Sequence, residues 1–213
     1  MHEPVREFMK IVVEHVDCPE PIYEFGSLQV SGDLGYEDMR YLFPGKKYVG
    51  TDMRDGLGVD VILDLHHIDL PKERIGTTII LNTLEHVERP WVAVDEELRV
   101  LVTGGILILS VPFKSKIHAY PDDYWRFTPS CMKLLLKDFP RTFVSFAGEE
   151  LFPHTVVGIG YGESTVLPEA FYREIEDWQV RWQHTSHVRK PFIKKFSRKW
   201  GKSIRKRLHI FRF

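Results

Sequence analysis

Between Ile22 and Asp64 three short apolar runs follow one another, and each ends in a carboxylate. Ile22-Tyr23 leads into Glu24-Phe25-Gly26-Ser27, Tyr48-Val49-Gly50-Thr51 into Asp52, and Val59 to Leu63 into Asp64. Apolar runs this short, bounded by glycine and acids, read as buried strands. In an open α/β sheet ligands bind outside the carboxyl ends of the strands. Three neighbouring strands that each deliver an acid to that edge therefore describe a ligand rim. Gly26, Gly32 and Gly35 follow the first run, and glycine lets backbone turn tightly beside a ligand. The spacing from the first turn to Asp52 is the one at which such sheets hold a ribose diol, so the rim reads as a nucleoside site.

The rest of the chain alternates in the same way. A helix is expected over 4–16, where Val5, Phe8, Met9, Val12, Val13 and Val16 recur at helical spacing. Strands are expected over Ile22–Phe25, Lys47–Thr51, Asp60–Leu63, Thr77–Asn82 and Ile106–Val111, with a hairpin-like pair over Thr142–Phe146 and Val156–Ile159. Helices are expected near Asp33–Phe43, from Pro90 to Leu101 with Trp91, Val94, Leu98 and Leu101 inward, from Pro129 to about Lys137, and over Pro168–His184. Gly104-Gly105 is read as the break after the second of these. Such alternation means an α/β, Rossmann-like, mostly parallel sheet with helices on both faces.

Each rim residue has two readings. Asp52 suits a ribose diol, a helix N-cap or a solvent-facing turn acid, and Met53 suits a purine face. Asp64 can accept from an exocyclic amine while Leu65 gives apolar cover. The turn Glu24-Phe-Gly-Ser-Leu-Gln-Val-Ser-Gly-Asp-Leu-Gly is not G-x-G-x-x-G; Leu28 stands where a pyrophosphate would need glycine. Glu85-His86, just past the Thr77–Asn82 strand, offers a proton acceptor in His86 or a histidine packed at a helix start.

Glu24-Phe-Gly26, Gly50-Thr-Asp52, Asp64, Asn82-Thr-Leu-Glu85-His86-Val87 and Leu101-Val-Thr-Gly104-Gly105-Ile-Leu, taken in order, resemble the class I S-adenosylmethionine-dependent methyltransferases. The likeness spans about residues 20–160. It implies seven strands with the last antiparallel, and S-adenosylmethionine as cofactor. Glu24 and Gly26, with Ser27 in the same turn, would flank the methionine moiety, Asp52 would hold the ribose, and Asp64 and Leu65 would meet adenine. Asn82 would lie near the methionine end, and Glu85 would serve the cofactor's amino group or a backbone cap. A methyl group would pass to an oxygen or nitrogen of a small-molecule or glycan-like acceptor.

Lys114 to Pro129 is long for a connection inside a compact domain, a length often tied to function. His118, Tyr120, Tyr124, Trp125 and Arg126 are its acceptor-binding candidates and Asp123 its proton acceptor. The competing reading makes Trp125 a core anchor and Asp123–Arg126 a surface ion pair. The run Tyr120-Pro-Asp-Asp-Tyr-Trp-Arg-Phe-Thr-Pro129 resembles methyltransferases of glycan and cell-surface polysaccharide synthesis. No metal site is expected: His66-His67 should point apart on a strand, and His184-x-x-His187 has no acid or cysteine beside it.

Charge divides the chain. Of 29 Lys and Arg, eleven fall between Arg189 and Phe213, a window without Asp or Glu, so the remainder holds 18 against 30 acids. Phe192, Phe196, Trp200, Ile204 and Leu208 recur every fourth residue in that window. A methyltransferase domain over 1–188 and a basic amphipathic tail over 189–213 follow. The tail suits an anionic membrane surface, with nucleic acid a weaker candidate and docking on the body or a second subunit a third. Two distant cysteines, Cys18 and Cys131, fit a reducing compartment. The opening Met1-His2-Glu3-Pro4 shows no leader pattern, so the expectation is a cytoplasmic protein, peripheral at an inner membrane face. The rivals are a nicotinamide-dependent oxidoreductase and a non-catalytic nucleoside-binding or membrane-tethered module.

Overall fold

Ile75–Leu81 is buried at all seven positions, so both faces of this strand must be covered. The computed structural model, which describes residues 3–30, 38–118 and 121–183, shows how. The elements in chain order are α1 (Glu3–His15), β1 (Ile22–Phe25), β2 (Tyr48–Asp52), β3 (Val61–Ile62), β4 (Ile75–Leu81), α2 (Pro90–Val100), β5 (Leu101–Pro112), α3 (Pro129–Leu135), β6 (Arg141–Glu149), β7 (Phe152–Tyr161) and α4 (Glu169–Trp182). The sheet has seven strands in the order β3-β2-β1-β4-β5-β7-β6. β1 to β5 are parallel, and β7 lies antiparallel between β5 and β6. The expected sheet, with its antiparallel last strand, is present.

Side chains alternate across the sheet as strand geometry demands. Ile79, Leu81, Ile106 and Ile108 join one core with α1 and α4, whereas Ile80, Leu107 and Leu109 join a second with α2 and α3. In the first core the two ends of the described chain meet. Phe8 and Trp178 pack at 5.9 Å between ring centroids, and Trp178 Nε1 donates to the Pro4 carbonyl at 3.0 Å. Trp178 is fully buried, and its N–H needs that partner.

Strand order reverses at β1: β2 and β3 lie on one side, β4 onward on the other. A crevice opens at such a reversal, outside the carboxyl ends of the strands.

The structure corrects four expectations. In place of a helix near Asp33–Phe43, the described residues hold one 3-10 turn, Arg40–Leu42; residues 31–37 lie outside them. Gly104-Gly105 does not end α2. The helix stops at Val100 and β5 starts at Leu101, with a bulge against β4 at the glycines, where Gly104 has φ +84°. Of the expected inward stripe, Val94 and Leu101 are buried and Leu98 packs against the same core, whereas Trp91 is half exposed; the helix's other buried positions are Pro90, Ala93, Glu97 and Val100. An acid at 97 disguises that face. Finally, His66 and His67 sit in a tight turn closed by an Asp64–His67 bridge rather than on a strand. The tail over 189–213 lies outside the described residues, as does His184-x-x-His187.

Candidate active site

The turn after β1 is pinned to β2. Gly26 has φ +82°, a region glycine tolerates, and a Cβ there would meet Thr83 Oγ1 at 2.1 Å. The amides of Gly26 and Ser27 both donate to the Thr51 carbonyl, at 2.8 and 3.0 Å. The Ser27 hydroxyl faces the carbonyls of Gly58 at 2.9 Å and Thr51 at 3.2 Å, so it serves the backbone of this rim. Glu24, 4 % exposed, accepts from the Tyr48 hydroxyl at 2.6 Å. Burial, then the Glu24 charge, push the Tyr48 phenol far above its ordinary pKa, which keeps it a donor.

Asp52 ends β2 with its side chain 10 % exposed. Its Oδ1 accepts from the Arg54 amide at 3.0 Å and lies 3.3 Å from Arg54 Nε, which leaves Oδ2 without a partner among the described residues. Asp64 Oδ1 accepts from the His66 amide at 2.8 Å and lies 3.0 Å from His66 Nδ1. Asn82, just past β4, has φ +49°, a left-handed conformation that Asn adopts more readily than most residues and that often marks a functional site. Its amide donates to the Ser110 carbonyl at 2.9 Å.

These strand ends surround one cavity of about 650 Å³, within the range of small-molecule sites. Its wall contains Glu24, Gly26, Ser27, Asp52, Met53, Asp64, Leu65, Asn82 and Glu85, so all the sequence-selected cofactor residues converge. His86, His118 and Tyr124 line it too. Leu28, Thr83, Pro112 and Lys116 also line it and were not singled out as contacts. Pro112 ends β5 on the same edge and was legible as such. Thr83 was not, because its place depends on packing against Gly26. His66, two residues past Asp64, likewise belongs to this rim.

At the far end the 3-10 turn Leu84–His86 presents Glu85 and His86. Glu85 is fully buried, and neither carboxylate oxygen accepts a hydrogen bond from another of the described residues. Burial pushes its pKa up to about 8. His86 donates from Nδ1 to the Asp122 carbonyl, since a carbonyl can only accept; in the neutral ring the lone pair is therefore on Nε2. Burial holds the His86 pKa below its ordinary value, with the Asp122 carbonyl opposing and His118 adding to the shift.

The loop after β5 divides between the readings. Asp123, its side chain 2 % exposed, accepts from both terminal nitrogens of Arg126 and from the His118 amide at 2.8 Å. Arg126 first, then the His118 amide, hold its pKa well below the carboxylate range against the opposing effect of burial. Neither Asp123 nor Arg126 lines the cavity. The pair is spent on fixing the loop, which corrects its assignment as proton acceptor and acceptor grip. Trp125 is corrected likewise: its Nε1 donates to the Val87 carbonyl at 3.0 Å, and its ring meets Trp91 edge-on at 6.0 Å, outside the cavity. Tyr124 donates to Asp122 at 3.1 Å while lining the wall. Tyr120 lies outside the described residues.

No family model matches the sequence, and no curated protein does. Solved structures do match. An S-adenosylmethionine-dependent methyltransferase from Thermotoga maritima has a TM-score of 0.56 at 17% identity, over 75% of this chain and 89% of that one. The chain has the class I methyltransferase fold. One from Archaeoglobus fulgidus gives 0.52 at 15% identity, over 73% of this chain and 94% of the other. A 1,6-didemethyltoxoflavin-N1-methyltransferase from Burkholderia thailandensis, solved with S-adenosylhomocysteine, gives 0.51 at 11% identity, over 75% and 77%. The class I methyltransferase sheet is thus conserved in shape at identities that carry the fold alone.

Proposed function

We propose that this protein is a methyltransferase that binds S-adenosylmethionine in the cavity at the β1 reversal and methylates an oxygen or nitrogen of a small-molecule or glycan-like acceptor. The observation that carries this reading is the convergence of Glu24, Asp52 and Asp64, from three successive strands, on one cavity. The donor set fits the ligand. Carboxylates accept from a diol and from amines, and a cationic sulfonium is favoured by an acidic rim. Leu28 on the wall, in the place of a pyrophosphate-clearing glycine, disfavours a dinucleotide.

Bound there, S-adenosylmethionine supplies an already activated methyl group. What the chain must add is alignment of the acceptor, worth roughly 7–11 kcal/mol when complete, and exclusion of water. An acceptor hydroxyl also has to lose its proton, and His86 Nε2, neutral near pH 7, carries the lone pair to take it. Such help adds on the order of 10²–10⁴-fold. Calorimetric titration tests the reading: S-adenosylhomocysteine binds and NAD⁺ does not. The reverse selectivity overturns it.

The tail over 189–213 supports a second part of the proposal, attachment to an anionic membrane surface near lipid-linked acceptors. Deleting 189–213 releases the protein from anionic vesicles and leaves S-adenosylhomocysteine affinity unchanged. Undiminished vesicle binding removes the membrane claim, and loss of RNA or DNA binding on deletion would replace it.

A further inference from the structure

We infer that Glu85, His86 and His118 form a binding site for a first-row divalent metal ion, with zinc-like ligand preference, at the acceptor end of the cavity. One ligating atom of each residue lies within 4.8 Å of the other two. The rings of His86 and His118 meet edge-on at 4.8 Å between centroids.

Three observations point to a cation rather than to a chance cluster. The first is Glu85: a fully buried carboxylate that receives no hydrogen bond from another of the described residues needs a proton or a cation there, because an uncompensated charge in that position is costly. The second is the orientation of the imidazoles. His86 Nδ1 faces the Asp122 carbonyl, and His118 Nδ1 faces the Lys116 carbonyl at 3.1 Å with Asp123 at 3.2 Å. Both Nδ1 atoms therefore carry the hydrogen, and both lone pairs sit on Nε2. Metal-binding histidines have this second shell almost without exception: one ring N–H on a carbonyl or carboxylate, the other nitrogen on the metal. It also gives the Asp123–Arg126 pair a purpose, since that pair holds the His118 end of the loop.

The third is the composition and openness of the set. Two imidazoles and one carboxylate suit zinc, cobalt, iron or manganese rather than magnesium or calcium, which prefer oxygen alone. All three residues line the cavity, so coordination positions remain open toward an acceptor, as in catalytic rather than structural sites. Metal–nitrogen bonds are about 2.0–2.1 Å, so the side chains must draw in on binding. His118, on the loop after β5, is the member placed to do so.

Ion binding itself is independent of the methyltransferase reading. Its catalytic consequence rests on that reading: a coordinated acceptor hydroxyl loses its proton far more easily, and that proton passes to solvent while His86 Nε2 is spent on the metal.

The test uses the full chain after dialysis against a chelator, titrated with Co²⁺ followed optically and with Zn²⁺ as competitor. One Co²⁺ binds per chain with visible absorption of a four- or five-coordinate ion, and Mg²⁺ in excess does not displace it. Glu85→Gln and His118→Ala each weaken binding at least 10-fold. His15→Ala, which removes the separate Glu14–His15–Glu174 group, leaves it unchanged. S-adenosylhomocysteine titration on the same samples checks that the variants are folded and the cavity intact. Absence of a one-to-one Co²⁺ complex, or binding equally strong in Glu85→Gln and His118→Ala, overturns the metal site. If S-adenosylhomocysteine still binds in that case, the proposed function stands without it. If Co²⁺ binds as described but S-adenosylhomocysteine does not, the metal site stands and the methyltransferase reading fails.

Discussion

Asp52→Ala abolishes useful binding of S-adenosylhomocysteine, with Kd rising on the order of 10²–10³-fold, because a carboxylate that receives both hydroxyls of a ribose contributes about 3–4 kcal/mol. The geometry makes this the most telling single residue on the rim. Asp52 ends a parallel strand beside the topological reversal, its side chain is 10 % exposed, and Oδ1 is anchored by the Arg54 amide while Oδ2 remains for a ligand. Asp52→Asn separates the two jobs. The amide oxygen can still receive the Arg54 N–H, so the turn survives, but the charge and one acceptor are lost. An intermediate loss of about 10-fold is expected for Asn. Isothermal titration on both variants reads the affinities, and thermal denaturation reads the turn. Wild-type affinity in Asp52→Ala would remove the ribose from this position and with it the orientation of the whole ligand.

The fold was legible because its signals are local. β4, buried on both faces, announces itself as a run of consecutive apolar and β-branched residues, and α3 by Pro129 after the cap Thr128, whose side chain accepts from the Cys131 amide. The carboxylates at the strand ends were legible for the same reason: each follows its own strand directly, and the sheet does the rest. What failed was whatever depends on which partner a side chain takes in three dimensions. Trp125 reads as a stacking platform until Trp91 and the Val87 carbonyl claim it. Asp123 reads as a base until Arg126 and the His118 amide occupy its oxygens. The grouping of His118 with Glu85 and His86 could not be read at all, since 31 residues of chain separate the two histidines. The α2 face was legible at Val94, Leu98 and Leu101 but not at Glu97, because a periodicity argument gives an acid to solvent and this one is buried.

Glu97 makes the last prediction. It stands on the inward side of α2 in line with Ala93, Val94 and Val100, fully buried, and among the described residues neither of its oxygens receives a well-formed hydrogen bond. Burial pushes its pKa up from about 4.5 to about 8, with the Thr78 hydroxyl opposing. The folded chain therefore keeps a proton that the unfolded chain releases above about 4.5. Between those two values the folded state binds more protons, so stability falls as pH rises, by about 1.4 kcal/mol per pH unit and roughly 5 kcal/mol in all, and then levels off. Stability from this residue is greatest in acid, the reverse of a salt-bridged carboxylate. In the metal-free chain Glu85 has the same displacement, so after dialysis against a chelator the wild-type slope carries both residues. Glu97→Gln, which keeps the shape and cannot ionise, should remove about half of the slope, and Glu85→Gln combined with it nearly all. At pH 8.5 the single Glu97→Gln variant should be the more stable protein by several kcal/mol, and at pH 5 close to wild type. Urea midpoints at pH 5, 7 and 8.5 give the comparison. A wild-type midpoint that rises with pH over this window, or a Glu97→Gln chain with an unchanged slope, shows that α2 does not bury a protonated acid.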